Sequence, residues 1–382
     1  AFLFVNISIS IAKIVVYFIT FATQIRSMSA YVNIISHKLN LPEKSVKSVL
    51  QLLEEGSTIP FIARYRKDIT GALDEVQVQQ IQDEAKFQKE FSDRKSAIEK
   101  AISEQGKMTE DIQKALDNAI TLAQLEDLYL PYKQKRKTRA QMARDKGLEP
   151  FANLLLAQEN ISLEEEAKRY ITEEVKTFDE VLVGARDIIA ENINENATVR
   201  ESVRNIFQKE AIISSKLVEE KESDAAKYKD YFDYHELISK IPSHRALAIF
   251  RGAMDGLLRM SIEPEDERII SYLEKEFITA SNDAAAQVKK AIKECYRRLL
   301  QPSMESEFRM AIKHRADEEA IEVFAENLRQ LLLSSPLGSK RILAIDPGYR
   351  TGCKVVCIDE KGNLQKTDLI YIHEKNYKLQ EA

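Results

Sequence analysis

Apolar residues recur at intervals of three and four over most of the chain, from about residue 29 to about residue 335. Residues 46–53 show this spacing, and Gly56 follows them where a helix C-terminus favours glycine. A longer charged stretch with the same spacing covers residues 73–105 and is followed by Gly106. The pattern predicts almost continuous helix with short breaks.

Further helices are predicted between Gly and Pro breaks in the rest of this region. They cover residues 163–170, 178–193, 197–213, 243–260, 265–277, 284–299 and 308–333. Residues 216–229 are highly charged and poor in large apolar side chains, which predicts an exposed connection.

The pattern changes near the C-terminal end, where three short apolar runs alternate with turn residues. The runs are residues 342–345, 355–358 and 369–372, and Asp346-Pro-Gly stands at the first turn. This predicts strand, turn, strand, turn, strand. An Asp after a buried first strand, facing a Gly turn, opens two large superfamilies. In RNase H-like nucleases the Asp helps to hold Mg²⁺, and in actin-like and sugar-kinase ATPases the turn approaches phosphate.

The composition indicates a soluble globular protein, with 44% hydrophobic and 31% charged residues. The net charge of -5 excludes a uniformly basic nucleic-acid binder but leaves room for local basic patches. The three cysteines, Cys295, Cys353 and Cys357, are interpreted as reduced thiols of a cytosolic protein. We expect no cofactor, because the sequence has no phosphate-binding Gly-rich loop and no Cys/His metal cluster.

Residues 1–27 form an apolar leader whose length fits a membrane span. The chain begins with Ala1, the leader is rich in residues that AT-rich codons encode, and a polar amphipathic sequence follows from Met28. We therefore interpret the leader as translated upstream sequence, with a genuine membrane segment as the alternative. In the first case we expect no membrane partner.

Two basic stretches could contact phosphate groups. The denser one follows two tyrosines, and on a helix its cations would spread around much of the circumference; its candidate residues are Lys133, Lys135, Arg136, Lys137 and Arg139. The alternative is a solvated helix surface. The second stretch follows Pro60 and contributes Arg64, Arg66 and Lys67, and there we expect the neighbouring aromatic residues to be core anchors.

Asp346 is the one carboxylate in a position suited to RNase H-like chemistry. In-line displacement requires several carboxylates around one or two metal ions. Asp359 lies in a predicted turn and is better interpreted as a turn former. We therefore expect no catalytic residue, no metal ion and no nuclease activity in this chain, with Asp346 as a vestigial carboxylate.

Several motifs together resemble the bacterial Tex family of transcription accessory proteins, because they occur in the family's order over some 350 residues. They are residues 59–67 (IPFIARYRK), 125–139 (LEDLYLPYKQKRKTR), 184–188 (GARDI), 228–234 (YKDYFDY), 241–252 (IPSHRALAIFRG) and 346–354 (DPGYRTGCK). The resemblance implies a helical region with a helix-turn-helix-like part, then a YqgF-type RNase H-like domain. In the family, helix-hairpin-helix modules and an OB-type RNA-binding barrel follow.

The resemblance gives a fold class and a division into domains. The fold is expected to be mainly α, followed by the first β-strands of an α/β RNase H-like domain. The expected divisions are the leader at residues 1–27, a helical Tex region at 28–335 and an incomplete YqgF-type domain at 338–382.

The function implied is non-catalytic binding of RNA or DNA as a cytoplasmic transcription scaffold. Weak binding by this chain is expected, with RNA polymerase or ribosome components as possible partners. Two alternatives stay open. One is a metal-dependent nuclease or resolvase that uses Asp346 in the full-length protein, and the other is a pure protein-interaction scaffold.

Overall fold

The computed structural model describes residues 31–133, 137–219, 221–348 and 352–371. These residues form two compact units. The first contains the described residues up to Leu217 together with Asp230–Lys240 and Arg259–Arg309. The second contains Val218–Lys229, Ile241–Leu258 and the chain from Met310 onward. The predicted class, mainly α with strands near the C-terminal end, is confirmed.

The first unit begins with helices whose ends are set by local residues. Gly71, at φ +75°, ends the fourth helix, because the left-handed backbone conformation favours glycine. The Asp74 side chain accepts a hydrogen bond from the Gln77 amide and begins the fifth. The helices are α1 (31–39), α2 (Glu43–Glu54), α3 (Ile59–Tyr65), α4 (Lys67–Thr70) and α5 (Glu75–Glu104).

Two apolar cores hold these elements together. Val46 and Val49 of α2 are fully buried with Ile62 of α3, which confirms the predicted helix over residues 46–53. The second half of α5 buries Ile98 and Ile102 against two further helices and a short 3₁₀ turn. These elements are α6 (Glu110–Asn118), α7 (Leu122–Tyr129) and the turn Leu130–Tyr132.

The next part of the first unit is organised around a long buried helix, α11. A Cβ placed at Gly184 of this helix would lie 2.4 Å from Cδ1 of Leu148 and 3.3 Å from Cβ of Ala143. Glycine therefore permits the close packing of α11 on α8 and on the N-terminal end of α9. The elements are α8 (Arg139–Asp145), α9 (Glu149–Ala157), α10 (Leu163–Ala167), α11 (Phe178–Asn194) and α12 (Ala197–Glu210).

A three-stranded sheet replaces helix at two places where helix was predicted. Helix α12 ends before the predicted end at residue 213, because Ala211 takes an extended conformation and a strand follows. Helix α13 (Ser243–Met254) likewise ends before residue 260, with Gly256 at φ +68°. The strands are β1 (Ile212–Leu217), β2 (Asp233–Leu237) and β3 (Leu258–Glu263), in the order β2-β1-β3.

The register of the sheet explains this difference. Ile213 and Ser215 of β1 are both fully buried, so the strand places alternate residues in the interior. Its β2 partner pairs antiparallel, with Ile212 opposite Leu237. The isoleucines after α12 fit the apolar spacing of a helix and also the alternation of a strand. In so short a run, periodicity alone does not distinguish a helix from a strand.

One continuous helical path was predicted as two helices. After α14 (Asp266–Phe277) and α15 (Asp283–Cys295), a π turn at Tyr296–Leu300 leads directly into α16 (Gln301–Leu332). Pro302 follows this turn and explains it. A proline ring has no N–H and clashes with the carbonyl four residues earlier, so the wider turn accommodates it without ending the helix.

A buried ion network joins α7, α12 and the start of α16. Arg200 donates to Asp127 Oδ1, and Arg204 Nη2 donates to Asp127 Oδ2 at 2.7 Å. Arg204 Nε also donates to Glu307 at 2.6 Å. Burial alone lowers the pKa of Arg204, but its hydrogen bonds with Glu307 and Asp127 outweigh burial and raise the pKa overall. Each charge of the network therefore has an opposite partner.

In the second unit, the segment Val218–Lys229 is not simply an exposed connection, as its composition suggested. Tyr228 is 3% exposed, and its hydroxyl donates to Asp255 at 2.7 Å. A Cβ at Gly252 would lie 2.5 Å from Leu258 Cδ1, so the glycine permits close packing here. The expected exposure holds for many of its charged side chains but not for this tyrosine.

The predicted strand meander near the C-terminal end is confirmed. Its strands are β4 (Ile342–Asp346), β5 (Cys353–Ile358) and β6 (Leu364–Ile370), paired antiparallel in the order β4-β5-β6. The third begins earlier than predicted, because Asp359 closes the preceding turn by accepting from the Asn363 amide at 2.8 Å. That bond holds the pKa of Asp359 below its usual range and confirms its role as a turn former.

Candidate nucleic-acid interface

The basic stretch after Tyr132 is a loop in its described residues and not the helix on which its cations were expected. Lys133 has extended backbone angles (φ -65°, ψ 129°), and so has Thr138 (φ -80°, ψ 163°). The Thr138 hydroxyl accepts from the Gln141 amide at 3.0 Å, so α8 begins only at Arg139. Lys135 and Arg136 lie outside the described residues.

The described cations of this loop are accessible. Lys133, Lys137 and Arg139 are exposed, and none of them has an ion-pair partner among the residues that the structure describes. Cations without a carboxylate partner can exchange their counterions for phosphate groups without first breaking a salt bridge. The loop therefore exposes positive charge that is free to bind phosphate. It does so from extended backbone at its described ends and not from the surface of a helix.

The start of the loop is held in place by α5. The side-chain amide of Gln105 donates to the Tyr132 carbonyl at 2.8 Å, next to Lys133. Tyr129 packs on the apolar core of α5–α7, and the guanidinium of Arg94 lies 5.5 Å from its ring centroid. A hydrogen bond to Glu126 raises the pKa of Arg94. These contacts fix the backbone from which the basic loop extends.

Residues of α3 and α4 form a second basic surface, which also exposes aromatic rings. Phe61 is 38% exposed and Tyr65 is 68% exposed, with ring centroids 5.5 Å apart. The expectation that these aromatics are core anchors is therefore wrong. Ile62 and Ala63 are the buried residues of this helix, because they lie on its opposite face toward the core of α2 and α5.

The three cations predicted on this second surface differ in their partners. Arg64 pairs with Glu75 at 3.0 Å, and the guanidinium of Arg66 lies 5.1 Å from the Phe61 ring centroid. Lys67 is exposed and has no ion-pair partner among the described residues. Exposed rings beside cations can stack on nucleic-acid bases while the cations neutralise phosphates.

Sequence reasoning missed a further group of cations, which the fold brings next to the basic loop. Arg139 lines a groove with Arg186, Lys293, Arg297 and Arg298. These residues come from three distant stretches, so their proximity depends on how α11 packs on α8 and α15. The adjacent pair Arg297-Arg298 was the local signal that could have drawn attention to them.

Asp346 stands at the end of β4, opposite Lys354 of β5, and is exposed. The strand before it is also largely exposed in the described residues, unlike the buried first strand with which the two superfamilies begin. Among those residues there is no group of three or more His, Cys, Asp or Glu side chains arranged to hold a metal ion. Asp346 is thus unaccompanied in the part of the chain that the structure describes.

Across the described ranges, no helix combines the length and the apolar character that crossing a membrane requires. The apolar leader at residues 1–27, interpreted above as translated upstream sequence, lies outside those ranges. Its interpretation stays a prediction.

Comparison with known protein families matches both the helical body and the C-terminal strands. Three family models match in order: a Tex-like protein N-terminal domain at residues 29–103, a Tex central region at 158–324 and a Tex protein YqgF-like domain at 340–382. The chain belongs to the Tex family. The resemblance found from its motifs is thereby confirmed, as is a YqgF-like start after the helices.

The similar proteins include bacterial and human ones. Protein YhgF of Escherichia coli is 40% identical over 356 residues, 90% of this chain and 46% of that protein. Transcriptional accessory protein Tex of Neisseria gonorrhoeae is 38% identical over 352 residues, which cover 91% of this chain and 46% of that protein. S1 RNA-binding domain-containing protein 1 of Homo sapiens is 30% identical over 361 residues, which cover 90% of this chain and 36% of that protein. The chain thus spans about half the length of its bacterial relatives.

Proposed function

We propose that this chain binds RNA or DNA without catalysing a reaction on it and acts as a scaffold in transcription. The observation that carries the proposal is the extended basic loop, where Lys133, Lys137 and Arg139 are exposed without ion-pair partners in the described residues. Lys135 and Arg136 would add to the same charge. The names of the relatives support this, since one is a transcriptional accessory protein and another contains an S1 RNA-binding domain.

The surface of α3 and α4 supports binding of single strands in particular. Phe61 and Tyr65 offer adjacent exposed rings; Arg66 lies 5.1 Å from the Phe61 ring centroid, and Lys67 is an exposed cation next to it in the chain. Stacking on an aromatic ring contributes about 1–3 kcal/mol per base and tolerates any base, because every base has a π face. The expected affinity is therefore independent of sequence and strongly dependent on salt.

The non-catalytic part of the proposal rests on chemistry. Phosphodiester hydrolysis of the RNase H-like kind requires metal ions that stabilise both the attacking and the leaving oxygen. Asp346 supplies one carboxylate, and a nuclease that uses it in a longer chain stays an alternative. Cytoplasmic location, the domain division at residues 28–335 and 338–382, and partners among RNA polymerase or ribosome components belong to the same proposal.

Fluorescence anisotropy with a labelled single-stranded RNA tests the binding. We compare the chain with a variant that combines Lys133→Gln and Lys137→Gln, over a series of salt concentrations. Each phosphate contact contributes about 0.7 to the slope of log affinity against log salt for a single strand. The variant should bind more weakly, and its slope should be shallower by about 1.4.

A matched control combines Lys209→Gln and Lys275→Gln, which remove the same charge from exposed positions on α12 and α14. Its salt slope should stay close to that of the unchanged chain. Binding that does not weaken between low and physiological salt would refute the electrostatic account. Equal slopes for the two double variants would show that net charge matters and the loop does not.

A further inference from the structure

The groove beside the basic loop is lined by the start of α8, by α11 and by the end of α15 with its π turn. Its volume is about 510 Å³. Five cations line it, namely Arg139, Arg186, Lys293, Arg297 and Arg298, against two carboxylates. A concave surface with an excess of cations concentrates positive potential and attracts anions.

The two carboxylates neutralise only the inner cations. Asp187 accepts a hydrogen bond from Arg298, and Glu294 Oε1 lies 3.4 Å from Arg186 Nε. Arg139 and Lys293, by contrast, have no ion-pair partner among the described residues. The excess charge of the groove therefore belongs to side chains that do not hold the fold together.

Arg297 adds a third accessible cation. Its side chain is 67% exposed, and the carboxylate of Asp266 lies 3.5 Å away at the rim. An exposed pair at this distance contributes little to stability, so it can open toward a ligand at small cost. Arg297 follows Lys293 by four residues, so both side chains lie along one face of the helical path.

The inner arginines are held by hydrogen bonds and ion pairs, but one N–H group of each has no acceptor among the described residues. Arg186 Nη1 donates to Gln287 Oε1 at 2.8 Å, and its side chain is only 14% exposed. The Nε–H groups of Arg186 and Arg298 are buried and find no hydrogen-bond acceptor in the described part of the chain. Buried donors without acceptors are uncommon in proteins, and a bound ion or an ordered water is one explanation for them.

We propose that this groove binds phosphate groups of the same nucleic-acid strand that the basic loop contacts. This proposal rests on the proposed function and extends it. Arg139 connects the two surfaces, because it is the first residue of α8, directly after the loop, and also lines the groove. A strand that follows the loop therefore reaches the groove directly. Lys293 and Arg297 neutralise its phosphates at the rim, where the excess positive charge of the groove lies.

The test changes the accessible cations and leaves the inner ones intact. One variant combines Lys293→Gln with Arg297→Gln, and its matched control combines Lys293→Arg with Arg297→Lys, which keeps both charges at the same positions. Anisotropy with the labelled single-stranded RNA is measured against salt for both. The neutralised variant should lose about 1.4 from its salt slope, since each contact contributes about 0.7, and the control should lose little.

The outcomes separate this proposal from the proposed function. If the Lys133→Gln, Lys137→Gln variant has a shallower slope and the neutralised groove variant does not, the groove proposal fails and loop binding stands. If the unchanged chain shows no binding, both fail. Thermal unfolding followed by circular dichroism must show the same melting temperature for both groove variants. A selective loss for a groove variant that is folded supports the proposal.

Discussion

The helical body and the C-terminal meander contain equally apolar stretches that meet very different surroundings. In α11, Ile188 and Ile189 are fully buried. In β4, Leu343 is 62% exposed and Ile345 is 53% exposed. Both stretches formed the type of element that their patterns predicted. The difference shows that an apolar pattern specifies helix or strand, whereas burial depends on which other elements cover that face.

The same contrast applies to charged pairs. In the helical body, Asp127 and Arg200 form an ion pair whose side chains are less than a tenth exposed. In the meander, Arg341 and Glu360 lie 3.5 Å apart with both side chains largely exposed. Removing one partner of a buried pair leaves a charge without compensation, but removing one partner of an exposed pair leaves a solvated charge.

Substitution of Asp127 should have the largest effect. Asp127→Ala leaves Arg200 and Arg204 without this carboxylate in a buried site, so the free energy of unfolding should fall by about 3–5 kcal/mol. Urea denaturation followed by far-UV circular dichroism measures this change. Arg341→Ala in the meander is the matched control and should change the free energy by less than about 0.5 kcal/mol. Similar losses for the two variants would contradict the distinction between buried and exposed pairs.

The Asp127 network also shows what sequence could not predict. The largely helical character of this region was expected, because apolar spacing is a local feature of the sequence. The pairing of α7 with α12 and α16 joins residues more than seventy positions apart in the chain. No local pattern encodes such a contact, so Asp127 and Arg200 looked like ordinary polar residues of amphipathic helices.

The candidate interface was also predicted only in part, because its local features are visible in the sequence and its long-range contacts are not. The density of cations over residues 133–139 is visible in the sequence, but the backbone at the two described ends of this stretch is set by the Thr138 cap and by the hydrogen bond from Gln105 to Tyr132. The exposure of Phe61 and Tyr65 was predicted wrongly, because an aromatic residue beside apolar ones usually faces the core. The cations of the groove come from separate helices and required the fold.

Truncation of apolar side chains tests the comparison directly. Ile188→Ala removes buried methyl and methylene groups from α11 and should lower the free energy of unfolding by about 2–5 kcal/mol. Ile345→Ala removes the same atoms from an exposed position and should lower it by less than about 0.5 kcal/mol. Urea denaturation of the two variants gives both values. A loss for Ile345→Ala that approached the loss for Ile188→Ala would mean that β4 is covered in solution.

The smallest expected effect is a difference in how fast two cysteines react with a thiol reagent in the folded chain. Burial raises the pKa of the Cys295 thiol to about 12, and its side chain is fully buried in the helical body. Cys357 of β5 is partly exposed. Because a thiol reagent needs contact with a thiolate, the folded chain at pH 8 should react quickly at Cys357 and very slowly at Cys295.

Absorbance after addition of a chromogenic disulfide reagent follows these reactions, and Cys357→Ser should remove the fast phase. The raised pKa of Cys295 also determines how the stability of the fold changes with pH. The neutral buried thiol contributes stability that is complete below its ordinary value of 9.0 and is lost as the pH rises toward about 12, because the unfolded chain releases the proton first. Fast reaction of Cys295 in the folded Cys357→Ser variant would show that the helical body opens as readily as the meander.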